Sequence, residues 1–88
     1  MTAKEMFEQL GYNYSFDERD NLIEYVKFIQ DEDKKLVESL YIYFDIDDKC
    51  YWGFDYKKEN NFTQISISID SNLHIIITQQ MKELGWIE

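Results

Sequence analysis

Two segments near the ends of the chain close on the same three-residue pattern. Met6-Phe7-Glu8-Gln9-Leu10-Gly11-Tyr12 and Met81-Lys82-Glu83-Leu84-Gly85-Trp86 both run from a methionine to Leu-Gly-aromatic. That ending is a helix stop. Glycine accepts the left-handed conformation just past the C-cap, and the apolar residue behind it folds back onto the last turn. Only three glycines occur in the chain, and two of them hold these positions. The molecule is therefore bracketed by a helix at each end, with something else between.

The first helix also has a start signal. Thr2-Ala3-Lys4-Glu5 matches a capping box, and Ala3, Met6, Phe7 and Leu10 follow at i, i+3, i+4 and i+7. This predicts a helix over Ala3 to Leu10. For the second, Leu73, Ile76, Ile77, Met81 and Leu84 form one stripe that Ser71 can cap, which predicts a helix from Asn72 to Leu84.

Between the helices the period changes. Residues 12–21 are polar and irregular, with a turn over 17–21. Leu22 to Ile29 is rich in β-formers. Leu40, Ile42, Phe44 and Ile46 alternate with Tyr41, Tyr43 and Asp45, a period of two. Asp47-Asp48-Lys49 connects to a second alternating run, in which Cys50, Trp52, Phe54 and Tyr56 share one phase, and Ile65, Ile67 and Ile69 alternate in a third. The order reads α-β-β-β-β-α. Short connections favour an antiparallel meander, and two amphipathic helices need one face of it to cover. The expected fold is a single α+β domain over residues 1–88. It is a two-layer sandwich with both helices on one face, packing Met6, Phe7, Leu10, Ile76, Ile77, Met81 and Leu84 on Leu40, Ile42, Phe44, Ile65, Ile67 and Ile69.

The net charge is −9, and the acids are concentrated. Between residues 16 and 48, Asp17, Glu18, Asp20, Glu24, Asp31, Glu32, Asp33, Glu38, Asp45, Asp47 and Asp48 face only Arg19, Lys27, Lys34 and Lys35. Such a field repels phosphate backbones and anionic lipid, so no direct nucleic-acid contact and no membrane binding are expected. A basic protein partner is compatible with it. Met1 to Glu5 leads into no apolar signal segment, and the single Cys50 has no partner for an internal disulfide. A cytoplasmic setting is expected.

Catalytic residue sets are sparse. His74 is the one histidine and lies off the apolar stripe, as a solvated surface residue would. Cys50 begins a strand with no identifiable group to activate it, and reads as a half-buried structural thiol. Glycines at 11, 53 and 85 make no phosphate-binding loop. Asp45, Asp47 and Asp48, or Asp31, Glu32 and Asp33, could offer oxygens to a hard cation. They lack the central glycine and twelfth-position glutamate of a calcium loop, so they read as turn residues. No cofactor and no metal site are expected, and the chain reads as non-enzymatic.

What remains is surface. Fifteen aromatic residues (two Trp, seven Tyr, six Phe) exceed what a core this small readily encloses. If Leu40, Ile42 and Phe44 point toward the helices, Tyr41 and Tyr43 point away, and Tyr51 is expected to join them. Tyrosines so placed favour protein contact by their large area, few rotors and hydroxyl. The candidate interface is Tyr41, Tyr43 and Tyr51 with Asp31, Asp33, Asp47 and Asp48. It would serve a partner protein, basic in character, or a second copy in a homodimer. As an alternative, those four aspartates could imitate phosphates and occupy a DNA-binding or defence enzyme, provided they line one ridge.

The opening MTAKEMFEQLGY, Met1 to Tyr12, and the closing QQMKELGWIE, Gln79 to Glu88, resemble a family of small uncharacterised proteins encoded by phages and prophages of Gram-positive bacteria. Members share the first helix ending in Leu-Gly-Tyr and the closing Glu-Leu-Gly-Trp, and the middle is similar only in pattern. The resemblance implies a phage accessory protein acting on a host or phage protein. Its motifs are helix caps, so it implies no active site.

Overall fold

Both helix stops close as Schellman motifs. In the computed structural model, which describes every residue from Met1 to Glu88, α1 (Ala3–Gln9) is capped by Thr2 and Glu5 in a reciprocal capping box. It ends with Gly11 at φ +94°. The Gly11 N–H donates to the Glu8 carbonyl at 3.0 Å and that of Tyr12 to the Phe7 carbonyl at 3.1 Å. The second helix, α2 (Ser71–Glu83), repeats this at Gly85, where Trp86 donates to the Met81 carbonyl at 2.9 Å. Its N-cap is Asp70, not Ser71. The Asp70 Oδ1 accepts from the Leu73 N–H at 2.8 Å, and a carboxylate also suits the positive end of the helix better than a hydroxyl does. The helices are joined end to end as well: Glu83 near the close of α2 accepts the Ala3 N–H, an orphan donor of the first turn of α1, at 2.8 Å.

Five strands, not four, form the sheet: β1 (Asn13–Asp17), β2 (Leu22–Gln30), β3 (Leu36–Asp45), β4 (Cys50–Lys57) and β5 (Gln64–Ser66). They run as an antiparallel meander in chain order, so the fold is α+β with a helix at each end. The additional strand, β1, lies in the segment expected to be irregular. Its Asn13, Ser15 and Asp17 alternate with Tyr14 and Phe16, which pair with Tyr25 and Ile23 of β2. Polar residues at every second position hid it, because an edge strand needs only one apolar face. At the other edge β5 is shorter than its isoleucine alternation predicts. The chain leaves the ladder after Ser66 to reach α2, and Ile69 is exposed.

One face of the sheet carries the core. Ile23 and Tyr25 of β2 stand opposite Phe44 and Ile42 of β3, and these pack with Phe7, Tyr12, Leu73, Ile76 and Ile77. Phe7 is fully buried, with its ring stacked 3.8 Å from that of Tyr25 and set edge-on to those of Tyr12 and Phe44. Tyr25 is the residue the sequence pattern under-weighted. Its hydroxyl donates to Oε1 of the buried Gln80 on α2 at 2.5 Å, so a polar pair is satisfied inside the core. Leu10, expected in the core, is exposed at the α1 stop.

Candidate functional site

Strand parity divides the sheet cleanly. Rows of directly paired residues cross the outer face, the one that neither helix covers. One row is Ser15, Glu24, Tyr43 and Trp52. The next is Asn13, Val26, Tyr41, Phe54 and Ser66, and a third is Phe28, Ser39, Tyr56 and Gln64. Five aromatic rings therefore meet on β3 and β4. Tyr43 stacks on Trp52 with centroids 5.4 Å apart, and Tyr41 on Phe54 at 4.9 Å. Tyr56 sets its edge against both Tyr41 and Phe54. The rings shield one another by half, and Trp52 remains 40% exposed.

Tyr51 does not belong to this face. It pairs with Phe44 and stacks on it at 5.7 Å, on the helix side. The reason is register. Asp45 pairs with Cys50 across the connection 46–49, so each odd-numbered residue of β3 faces an even-numbered residue of β4. Tyr43 thus meets Trp52 and leaves Tyr51 on the opposite side. Trp52, Phe54 and Tyr56 are the site residues that sequence reasoning left out, although their shared phase was visible.

The four candidate aspartates do not lie on this array, and they fall into two separate pairs. Asp31 and Asp33 lie in the turn before β3, and Asp47 and Asp48 in the turn after it. Ten residues of strand separate the two turns, about 30 Å at ~3.3 Å per residue. They form no single ridge of phosphate-like charge. Local geometry gives several acids a structural task instead. Asp31 Oδ1 accepts the N–H groups of Asp33 and Lys35, each at 2.9 Å. Asp45 Oδ1 accepts that of Asp48 at 3.1 Å, and Asp47 Oδ1 accepts from the Asn21 side chain at 2.9 Å.

Cys50 is exposed rather than half-buried. Its thiol is raised above the ordinary cysteine value by desolvation and by the carboxylates of Asp45 and Asp48, which makes it a poor nucleophile. His74 lies exposed on α2.

A second polar cluster, unforeseen from sequence, occupies the helix-side face beyond the helices. Asp55 of β4 is buried beside Leu40 and Ile65, and its Oδ1 has no hydrogen-bond donor. The Lys57 ammonium sits 3.9 Å from both Asp55 and Glu38. Burial raises the Glu38 carboxyl above its ordinary value, and so does the neighbouring Asp55 carboxylate. Lys57 opposes the shift and Glu59 adds to it. A cleft of about 560 Å³ opens at Glu38, lined by Val37, Lys57, Lys58 and Glu59. Two carboxyls and a lysine resemble acid–base machinery, but Asp55 lies beneath the surface and its ammonium partner is already paired. This arrangement should make a proton-dependent contribution to stability. With its folded value raised, Glu38 binds more protons in the folded than in the unfolded chain, so its contribution is full below the ordinary value of 4.5 and is lost as pH rises through the raised one. Glu38→Gln keeps the size of the side chain and cannot ionise. Relative to wild type, it should gain stability in urea melts between about pH 4 and about pH 8. An unchanged difference at the two pH values would refute the raised Glu38 carboxyl.

No helix is long and apolar enough to cross a membrane. Comparison with family models, with curated proteins and with solved structures finds no match for this chain.

Proposed function

We propose that this protein acts without catalysis of its own, by protein–protein contact through the outer face of the sheet. The observation that carries this reading is the array of Tyr41, Tyr43, Trp52, Phe54 and Tyr56 on the face opposite both helices. Cross-strand packing alone contributes about 0.2–1 kcal/mol per pair, and β-branched residues would provide much of it. Rings of this size left half-open add area, rigidity and hydroxyls, which are the properties interfaces favour. The resemblance of the two termini to small phage-encoded proteins makes a host or phage protein the natural occupant.

The test is affinity capture from a Gram-positive lysate, read by mass spectrometry, with wild type, a Tyr43→Ser/Trp52→Ser double variant and a Tyr14→Ser control on the opposite face. A partner held by wild type and the control but lost by the double variant, with thermal melts confirming that all three are folded, is the expected result. Capture that ignores the double substitution refutes the reading. So does an empty capture by a chain that is monomeric in light scattering.

A further inference from the structure

The outer face has a charge pattern that its aromatic content does not require. Its strand residues include three acids, Asp17, Glu24 and Asp45, and no lysine or arginine. Both lysines within paired strands, Lys27 and Lys57, stand on the helix side, opposite Leu40 and Glu38. Lys27 there lies over the Tyr12 ring at 5.7 Å. The charge is also uneven along the strands. The turns after β1 and β3 lie at the same end of the sheet, tied together by the Asn21–Asp47 hydrogen bond. This end combines Glu18, Asp20, Asp47 and Asp48 with only Arg19 and Lys49. On the outer face, Trp52 and Tyr43 are the rings nearest to it.

Glu24 is the acid placed to act with those rings. It pairs directly with Tyr43 across β2 and β3, and its carboxylate accepts a hydrogen bond from the Ser15 hydroxyl at 3.0 Å, which holds it on this face. After burial, the Glu24 charge is the largest influence raising the Tyr43 hydroxyl above the ordinary phenol value.

Resting on the reading of this face as a contact surface, we infer that its occupant is a basic protein segment bearing arginine, with a guanidinium stacked over Trp52 and Tyr43 and paired to Glu24. Arginine fits better than lysine for three reasons. Its planar group stacks on rings, it sheds water more readily than an ammonium, and its fork matches a carboxylate. A second copy of this chain fits poorly, because two such faces would bring like charges together and each chain carries a net charge of −9. Single-stranded nucleic acid would find the stacking rings but no cation among the strand residues of this face for its phosphates.

The test uses three synthetic peptides of equal length, alternating serine with arginine, lysine or glutamate. Binding is followed by calorimetry and by the NMR shift of the Trp52 indole N–H. The arginine peptide should bind at least about threefold tighter than the lysine one, weaken with added salt, and move the Trp52 signal. The glutamate peptide should not bind. Glu24→Gln should weaken arginine binding several-fold while keeping the Ser15 hydrogen bond, and Trp52→Ala should abolish the preference over lysine. Equal binding of the arginine and lysine peptides, an unmoved Trp52 signal, or a dimer that Trp52→Ala dissolves would each overturn the inference. If lysate capture still depends on Tyr43 and Trp52 while the arginine peptide fails, the contact surface stands and only its arginine specificity falls.

Discussion

Phe7→Ala should cost about 3–5 kcal/mol, which is most of the stability of a marginal domain of this size. Phe7 has no solvent exposure and touches three aromatic neighbours, stacked on Tyr25 and edge-on to Tyr12 and Phe44. Removing its ring leaves a void bounded by α1, β2 and β3 that rigid rings cannot collapse to fill. It also unseats α1, whose seven residues are too few to persist without docking. At roughly 4–8 °C per kcal/mol, the melting temperature should fall by more than about 12 °C in a calorimetric scan. Phe7→Leu, which keeps most of the volume, should lose much less. A Phe7→Ala variant melting within a few degrees of wild type would mean that the aromatic cluster does not hold the two layers together.

Gly53→Val is expected to damage both the fold and the proposed contact surface. A β-carbon at Gly53 would lie 2.8 Å from the Tyr41 carbonyl oxygen and 2.9 Å from Cγ2 of Ile67. The first is backbone of the neighbouring strand, so relief requires β3 and β4 to move apart. The second is the side chain that crosses over the glycine as the chain leaves β5 for α2. Overpacking of this kind costs about 1–3 kcal/mol. Because Gly53 lies between Trp52 and Phe54, the same displacement disturbs the ring stacks on the outer face. Urea melts should show the destabilisation, and partner capture by the folded fraction should weaken with it. A valine variant as stable as wild type would show that the Ile67 crossover is loosely packed.

Residue 53 also illustrates what sequence reading could and could not reach. Glycine within an alternating strand signals a close backbone approach, but nothing local says that Ile67 is what approaches. The helix stops are the opposite case. Gly11 and Gly85 adopt positive φ, and Tyr12 and Trp86 close onto Phe7 and Met81, all within six residues of each motif. The alternation through β3 was equally plain, since Ile42 and Phe44 are buried and Tyr41 and Tyr43 are not. β1 was not plain. Its two exposed aromatics gain a strand only because β2 offers them an edge.

Tyr51 and Trp52 show the dependence most directly. Alternation says that these neighbours face opposite ways, and both have the residue type an interface favours. Which of them faces outward rests on the pairing of Asp45 with Cys50, and a one-residue slip would exchange them. The proposed site was thus half-legible: Tyr41 and Tyr43 from their own strand, the facing rings only from register.

By itself the sequence determined the two capped helices, the alternating strands, the single α+β layer pair and the excess of aromatic and acidic surface. These follow from short-range chemistry: glycine at positive φ, side-chain caps, and a period of two or of 3.6. The tertiary structure alone decided which rings share the outer face, that Glu24 joins them while Asp31 and Asp47 sit at opposite ends, and that Glu38 meets Asp55. These depend on strand register and on contacts between distant segments, where a shift of one residue reverses every side chain and tertiary packing is what opposes it.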